Sequence, residues 1–109
     1  AEKLGGVWAD GYVNFGVQVQ KELYEFPDWP LPAAAPTFTP GPVMQQYLED
    51  YCDHFDVRPA LRLKSSVRSI EPANGGKRGW RILYDQDGET KSETFDFVVI
   101  ATGLYSEMP

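Results

Sequence analysis

FDFVVIATGLY, residues 95–105, contains an uninterrupted apolar run of Phe97, Val98, Val99, Ile100 and Ala101 that ends at Thr102-Gly103. A strand with one wet face alternates apolar and polar residues, whereas a continuous run suits a parallel strand covered on both faces. The run therefore predicts a buried strand of parallel type over about 96–102. Covering two faces requires helices, and the rest of the 109 residues offers only one convincing helix. The expectation is a natural chain longer than this one.

Upstream the periodicity changes. Val67 and Ile70, then Trp80 to Tyr84, then the alternating polar stretch 89–95 read as strands. Asn74-Gly75-Gly76 and Asp85-Gln86-Asp87-Gly88 mark the turns between them. Together they predict a three-stranded antiparallel meander over about 66–95. Ala60, Leu61 and Leu63 suggest a further short strand before Ser65-Ser66. Met44, Leu48, Tyr51 and Phe55 recur at helical spacing and predict a helix over about 42–55 with these residues on one face. Gln45, Glu49, Asp50 and Asp53 take its wet side. Thr39 is a candidate N-cap, and Pro40 or Pro42 is tolerated in the first turn. Arg58-Pro59 stops the helix, because the residue before proline is pushed out of helical angles. His54 falls in the last turn, where a cation complements the dipole, and nothing nearby in sequence supplies the partner a general base needs.

In FPDWPLPAAAPTFTPGP, residues 26–42, the density of proline removes backbone donors and blocks regular structure. Phe26, Trp29 and Phe38 carry too much apolar surface for a free tether, so the segment should pack down as a covering loop. Before it, Val13, Phe15, Val17 and Val19 alternate with Asn14, Gly16 and Gln18, which predicts a strand over 12–19.

With 42% hydrophobic side chains and 14% aromatics, the chain suits about one small domain. A net charge of −6 argues against a nucleic-acid or anionic-membrane surface. The basic residues are nonetheless concentrated: Arg58, Arg62, Lys64, Arg68, Lys77, Arg78 and Arg81 face the single acid Glu71 between positions 58 and 81. Solvated strand faces account for such a run, and compensation for an anionic cofactor or a neighbouring domain is the alternative. Cys52 is the only cysteine, so no intrachain disulfide or cysteine metal site can form, and a reducing, cytoplasmic setting is expected. No apolar run approaches the roughly 20 residues of a membrane span, and AEKLGG lacks signal-peptide character.

Several segments, in order, resemble the flavin-containing monooxygenases and their Baeyer–Villiger relatives. GGVW at residues 5–8 is similar to the segment after that family's first FAD-binding strand and helix. FPDWPLP at 26–32 resembles its aromatic-and-proline segment, and VMQQYLEDYCDHFDV at 43–57 the helix that follows. SSVRSIEP at 65–72 is similar to the strand near the FAD adenine, and DFVVIATGLYSEMP at 96–109 to the ATG segment linking FAD- and NADPH-binding domains. The resemblance implies an α+β piece of a Rossmann-like α/β FAD-binding domain. It also implies an oxidoreductase that reduces FAD with NADPH and transfers one oxygen atom to a soft nucleophile or ketone. A buried strand would deliver Ala101, Thr102 and Gly103 to the carboxyl edge of the sheet, where open α/β folds bind ligands.

The same carry-over puts Gly6 and Trp8 near the flavin, Val67 at the adenine through its backbone, and Ala101, Thr102 and Gly103 along the cofactor cleft. Trp8 and Val67 as plain core residues are the alternatives. An asparagine of the family, close to the reacting flavin, corresponds to Gln18, the one catalytic candidate. Glutamine donates the same amide hydrogen bond from a side chain one methylene longer. A solvent-facing strand residue is the other reading of Gln18, and its departure from the pattern keeps open a flavoprotein NAD(P)H oxidoreductase without oxygen transfer. A non-catalytic α+β scaffold or interaction module is a third reading.

Two G-x-G-x-x-G loops grip the dinucleotide phosphates in that family, and Gly5-Gly6 and Gly75-Gly76 match neither. The chain is thus expected to be a single partial domain, the middle of an FAD-binding domain without its N-terminal unit or the NADPH-binding domain. Alone it should bind no cofactor and be inactive. For the parent the expected partner is a small-molecule substrate, with no nucleic acid and no membrane. The isolated chain should self-associate through its exposed strand or apolar loop.

Overall fold

The computed structural model describes residues 1–73 and 78–103. The chain divides into two compact units, one of Lys3–Leu61 and one of Ala1–Glu2 with Arg62–Pro109. The expected Asn74-Gly75-Gly76 turn and residues 104–109 of the ATG segment lie outside the described residues.

In the unit of Lys3–Leu61, helix α1 (Gly41–His54) follows Pro40, whose extended backbone (φ −65°, ψ 152°) makes the N-cap. Pro42 sits in the first turn, where its missing N–H costs nothing. Thr39 is fully buried but does not cap the helix: its hydroxyl donates to the Pro36 carbonyl at 2.9 Å. α1 ends three residues earlier than Arg58-Pro59 demands. Asp56 adopts a left-handed φ of 52°, Val57 N–H donates to the Cys52 carbonyl at 2.8 Å, and Asp56 N–H to that of Asp53 at 3.4 Å. This is the Schellman arrangement, with aspartate where glycine is usual.

The buried face of α1 is Gly41, Met44, Tyr47 and Cys52, and Met44 and Tyr47 join Val17 and Leu31 in one core cluster. Trp8, Trp29 and Leu48 pack against it. Phe55, expected on the inner face, is 40% exposed. The predicted strand over 12–19 does not form. Asn14 turns the chain at φ 64°, and only Gly16 bridges, antiparallel, to Pro40. Nor does the strand expected around Ala60 to Leu63. Pro59 instead sits in a 3-10 turn, Arg58–Ala60, and Lys64 then turns at φ 54°.

The other unit holds strands β1 (Ser65–Pro72), β2 (Trp80–Gln86) and β3 (Glu89–Phe95), an antiparallel sheet in the order β1-β2-β3, which bears out the meander. Asp87 and Gly88 both take positive φ, 54° and 79°, the two-residue hairpin turn whose twist matches the strands. A register shift between Val67 and Ser69 bulges β1. The buried parallel strand expected over 96–102 is not formed. Residues 97–103 pair with no strand among the described residues, and Phe97, Val99 and Ile100 are 79%, 86% and 74% exposed. Apolarity alone does not make a strand: its backbone groups need a ladder and its faces need cover.

No helix among the described residues is long and apolar enough to cross a membrane.

Candidate functional site

Sequence FPDW, residues 26–29, closes into a turn in which Trp29 N–H donates to the Phe26 carbonyl at 3.1 Å. Pro27 presets the backbone for such a turn. The Tyr47 hydroxyl bridges both ends, accepting from Phe26 N–H at 2.7 Å and donating to the Trp29 carbonyl. Burial pushes this hydroxyl above the usual tyrosine range, against the Phe26 hydrogen bond, which pulls it down. The Phe26 ring stacks on Tyr47 at 5.8 Å and meets Tyr51 at 4.4 Å, while Trp29 lies 3.8 Å from the His54 ring. Phe26 and Trp29 therefore pack the start of the proline segment down as a cover, as expected, whereas Phe38, expected to do the same, is 62% exposed. His54 is engaged at the helix end by Trp29 and Phe55, and no hydrogen bond joins it to a carboxylate among the described residues.

In the same unit the chain approaches itself closely at Gly16 and Gly5, among other glycines. A Cβ on Gly16 would stand 2.9 Å from the Thr39 carbonyl oxygen and 3.2 Å from Pro40 Cα, backbone atoms that cannot turn aside. At Gly5 the backbone takes φ 110°, and Gln45 occupies the space a Cβ would need. Gln45, expected on the wet side, instead donates from Nε2 to the Leu4 carbonyl at 2.9 Å and so ties α1 to the GGVW turn. A groove of 480 Å³ opens on the same unit, lined by Asn14, Phe15, Gly16, Val17, Phe38, Pro40 and Pro42.

Gly6 and Trp8 share one 3-10 turn, Gly6–Trp8, with Gly6 exposed and Trp8 half-buried. The Trp8 ring stacks on Phe15 at 5.4 Å and meets Tyr24 edge-on at 6.1 Å. Gln18 is exposed just beyond buried Val17, and no hydrogen bond or ring contact joins it to Gly6 or Trp8 among the described residues. Val67 is 57% exposed on β1, an edge strand among the described residues, so a plain core role does not describe it, and its backbone groups turned away from β2 have no ladder partner among those residues. Ala101, Thr102 and Gly103 are exposed, and no strand pairing links them to Val67 among the described residues.

The basic run is largely satisfied locally. Arg58 pairs with Asp53, Arg62 with Glu93, Arg68 with Asp85 and Arg81 with Glu71. Hydrogen bonding to these guanidinium groups, and to Thr90 first in the case of Asp85, holds all four carboxyls below their usual range. Solvated, paired faces therefore account for most of the positive run. Tyr84, 7% exposed, donates to Glu93 at 2.8 Å, and Arg62 donates to Tyr84 at 3.0 Å.

A dinucleotide pyrophosphate asks for free N–H groups at a helix N-terminus. At α1 those groups are spent. Gly41 N–H donates to the Phe15 carbonyl at 2.9 Å, Pro42 has none, and Val43 and Met44 donate to the Pro40 carbonyl at 3.0 and 3.1 Å. The N-terminus of α1 therefore does not fit the phosphates of a dinucleotide.

Tyr47 and Gln45 escaped the sequence reading. Tyr47 lies three residues past Met44 and was legible as part of the apolar face, but its hydroxyl's task depends on a turn folded far away in sequence. No signal marked Gln45 as inward.

A profile of the family described as flavin-binding monooxygenase-like matches residues 7–109. Flavin-containing monooxygenase 5 of Homo sapiens is 25% identical over 117 residues, covering 96% of this chain and 22% of that protein. Flavin-containing monooxygenase 3 of Canis lupus familiaris is 28% identical, covering 100% and 23%. Probable flavin-containing monooxygenase 1 of Arabidopsis thaliana is 29% identical, covering 100% and 25%. The chain thus spans about a quarter or less of these relatives' length. With the profile matching nearly end to end, this chain belongs to the flavin-binding monooxygenase-like family.

Proposed function

We propose that this chain is the middle part of the FAD-binding, Rossmann-like domain of an FAD- and NADPH-dependent cytoplasmic monooxygenase acting on a small organic substrate. The reaction is N- or S-oxygenation or ketone insertion: substrate, O₂, NADPH and a proton give oxygenated product, NADP⁺ and water. The observation that carries this is the family match over residues 7–109, with GGVW, FPDWPLP and the ATG segment in the family's order. FAD, when bound, supplies the electron transfer and oxygen activation.

In this reading the chain's own residues supply walls and orientation. Gly6 and Trp8 offer a small-residue approach and a braced aromatic face, and Gln18 donates an amide hydrogen bond toward the reacting region. Val67 meets the adenine through its edge-strand backbone, and the segment ending in Ala101, Thr102 and Gly103 lines the cofactor cleft once its strand is paired. The packed proline cover excludes water. Phosphate contacts fall to residues outside those described.

The full-length protein should hold FAD, oxidise NADPH and convert a tertiary amine or thioether stoichiometrically. A full-length protein that binds no flavin and oxidises no NADPH would defeat the proposal. The departure at Gln18 favours a second reading, an NAD(P)H oxidoreductase, which would consume NADPH and release hydrogen peroxide without oxygenated product.

A further inference from the structure

Gln18, Val19 and Gln20 form an exposed arch between two anchored residues. At one end Val17 is buried and its N–H donates to the Thr39 carbonyl at 2.9 Å. At the other, Lys21 N–H donates to the Thr37 carbonyl at 2.8 Å. The Lys21 ammonium then reaches into the proline loop and donates to the carbonyls of Pro32, Ala33 and Ala35 at 3.1, 3.2 and 3.0 Å. An ammonium has three donors, and all three are used on backbone oxygens. Proline explains why a cation is needed. The loop has lost N–H groups at Pro32 and Pro36 but keeps every carbonyl, leaving acceptors in excess.

We propose that Lys21 is a positioning residue: its ammonium clasps the 32–35 loop and fixes the far end of the arch that presents Gln18. The clasp stands on geometry alone. Its consequence for turnover rests on the role given to Gln18 above. A guanidinium is larger than an ammonium and splays its donors outward in one plane, so Lys21→Arg should not reproduce the compact three-carbonyl clasp.

The test uses the full-length protein with Lys21→Met, Lys21→Arg and Lys21→Ala. Amide exchange at Ala35, whose N–H donates to the Pro32 carbonyl at 2.8 Å, should quicken at least about tenfold in all three, with exchange in α1 unchanged. n-Propylammonium, which restores the atoms deleted in Lys21→Ala, should slow exchange again, and n-propanol should not. Product formed per NADPH should fall in Lys21→Met and recover in Lys21→Ala with the amine. Unchanged loop exchange in Lys21→Met overturns the clasp. Loosening throughout the unit without rescue also overturns it, since that is a packing effect. Loosened exchange that the amine rescues, with product per NADPH unaltered, overturns the positioning role. If the parent protein proves to oxygenate nothing, the positioning role falls with that reading, and the exchange data still decide the clasp.

Discussion

Replacing Tyr47 by phenylalanine removes one oxygen atom and leaves the ring and its stack on Phe26 in place. That oxygen accepts from Phe26 N–H and donates to the Trp29 carbonyl, so a single atom pins both ends of the FPDW turn to α1. Each hydrogen bond is worth about 1 kcal/mol net, and stranding half-buried partners raises the total to about 2–3 kcal/mol. With a urea m-value of about 1 kcal/mol per molar for a unit this small, the midpoint should fall by about 2–3 M. Tryptophan fluorescence can follow the transition, because Trp29 sits in the turn itself. Tyr47→Leu, which also loses the stack, should cost about 1 kcal/mol more. A second signature comes from pH. Burial raises the Tyr47 pKa, so the stabilisation is complete below the usual tyrosine range and fades as pH climbs through the folded value. Tyr47→Phe should lack that alkaline loss. A midpoint shift below about 0.3 M for Tyr47→Phe, at an unchanged m-value, would refute the reasoning.

Gly16→Ala should cost about 1–3 kcal/mol, because the new Cβ meets the Thr39 carbonyl and Pro40 Cα at 2.9 and 3.2 Å; thermal melts will read it. Asp56→Gly should stabilise by about 0.5 kcal/mol by relieving a left-handed non-glycine at the helix end, seen as a higher urea midpoint. Asp53, Glu71, Asp85 and Glu93 all have lowered pKa values, so the stability they contribute is present above the usual carboxylate range and lost as pH falls through their folded values. Acid titration followed by circular dichroism, repeated with Glu93→Gln and at high salt, should move that loss. The isolated 109-residue chain should retain no FAD after dialysis and should self-associate with concentration in sedimentation, less so for Val99→Glu, given the exposure of Phe97, Val99 and Ile100.

Local chemistry was legible wherever a few neighbouring residues decide the outcome. Asp87-Gly88 forced the hairpin, the spacing of Met44 and Leu48 set α1 within a residue at each end, and Phe26 and Trp29 announced a packed cover that Phe38, 62% exposed, does not join. What failed to show in sequence depends on partners distant along the chain. The alternation from Val13 to Val19 reads as strand, but Asn14 turns the backbone and no strand among the described residues supplies a ladder. The apolar run of FDFVVIATGLY is the same failure in sharper form, because its composition specifies burial without specifying by what. Among the site residues, the placement of Trp8 against the core could be guessed from its bulk. The tasks of Lys21 and Tyr47 could not, since each serves backbone atoms that only the folded loop brings within reach.

The paired charges of the sheet have a further consequence. Glu71 lies opposite Arg81 in the ladder and bonds to it, Arg68 reaches Asp85 beside the bulge, and Tyr84 of β2 meets Glu93 of β3. Sliding β1 by one residue along β2 would turn its side chains to opposite faces and pull both β1 pairs apart together. The sheet therefore carries part of its alignment as a sequence of opposite signs. The information is erasable by salt, so the strands should find their correct neighbours less faithfully as ionic strength rises.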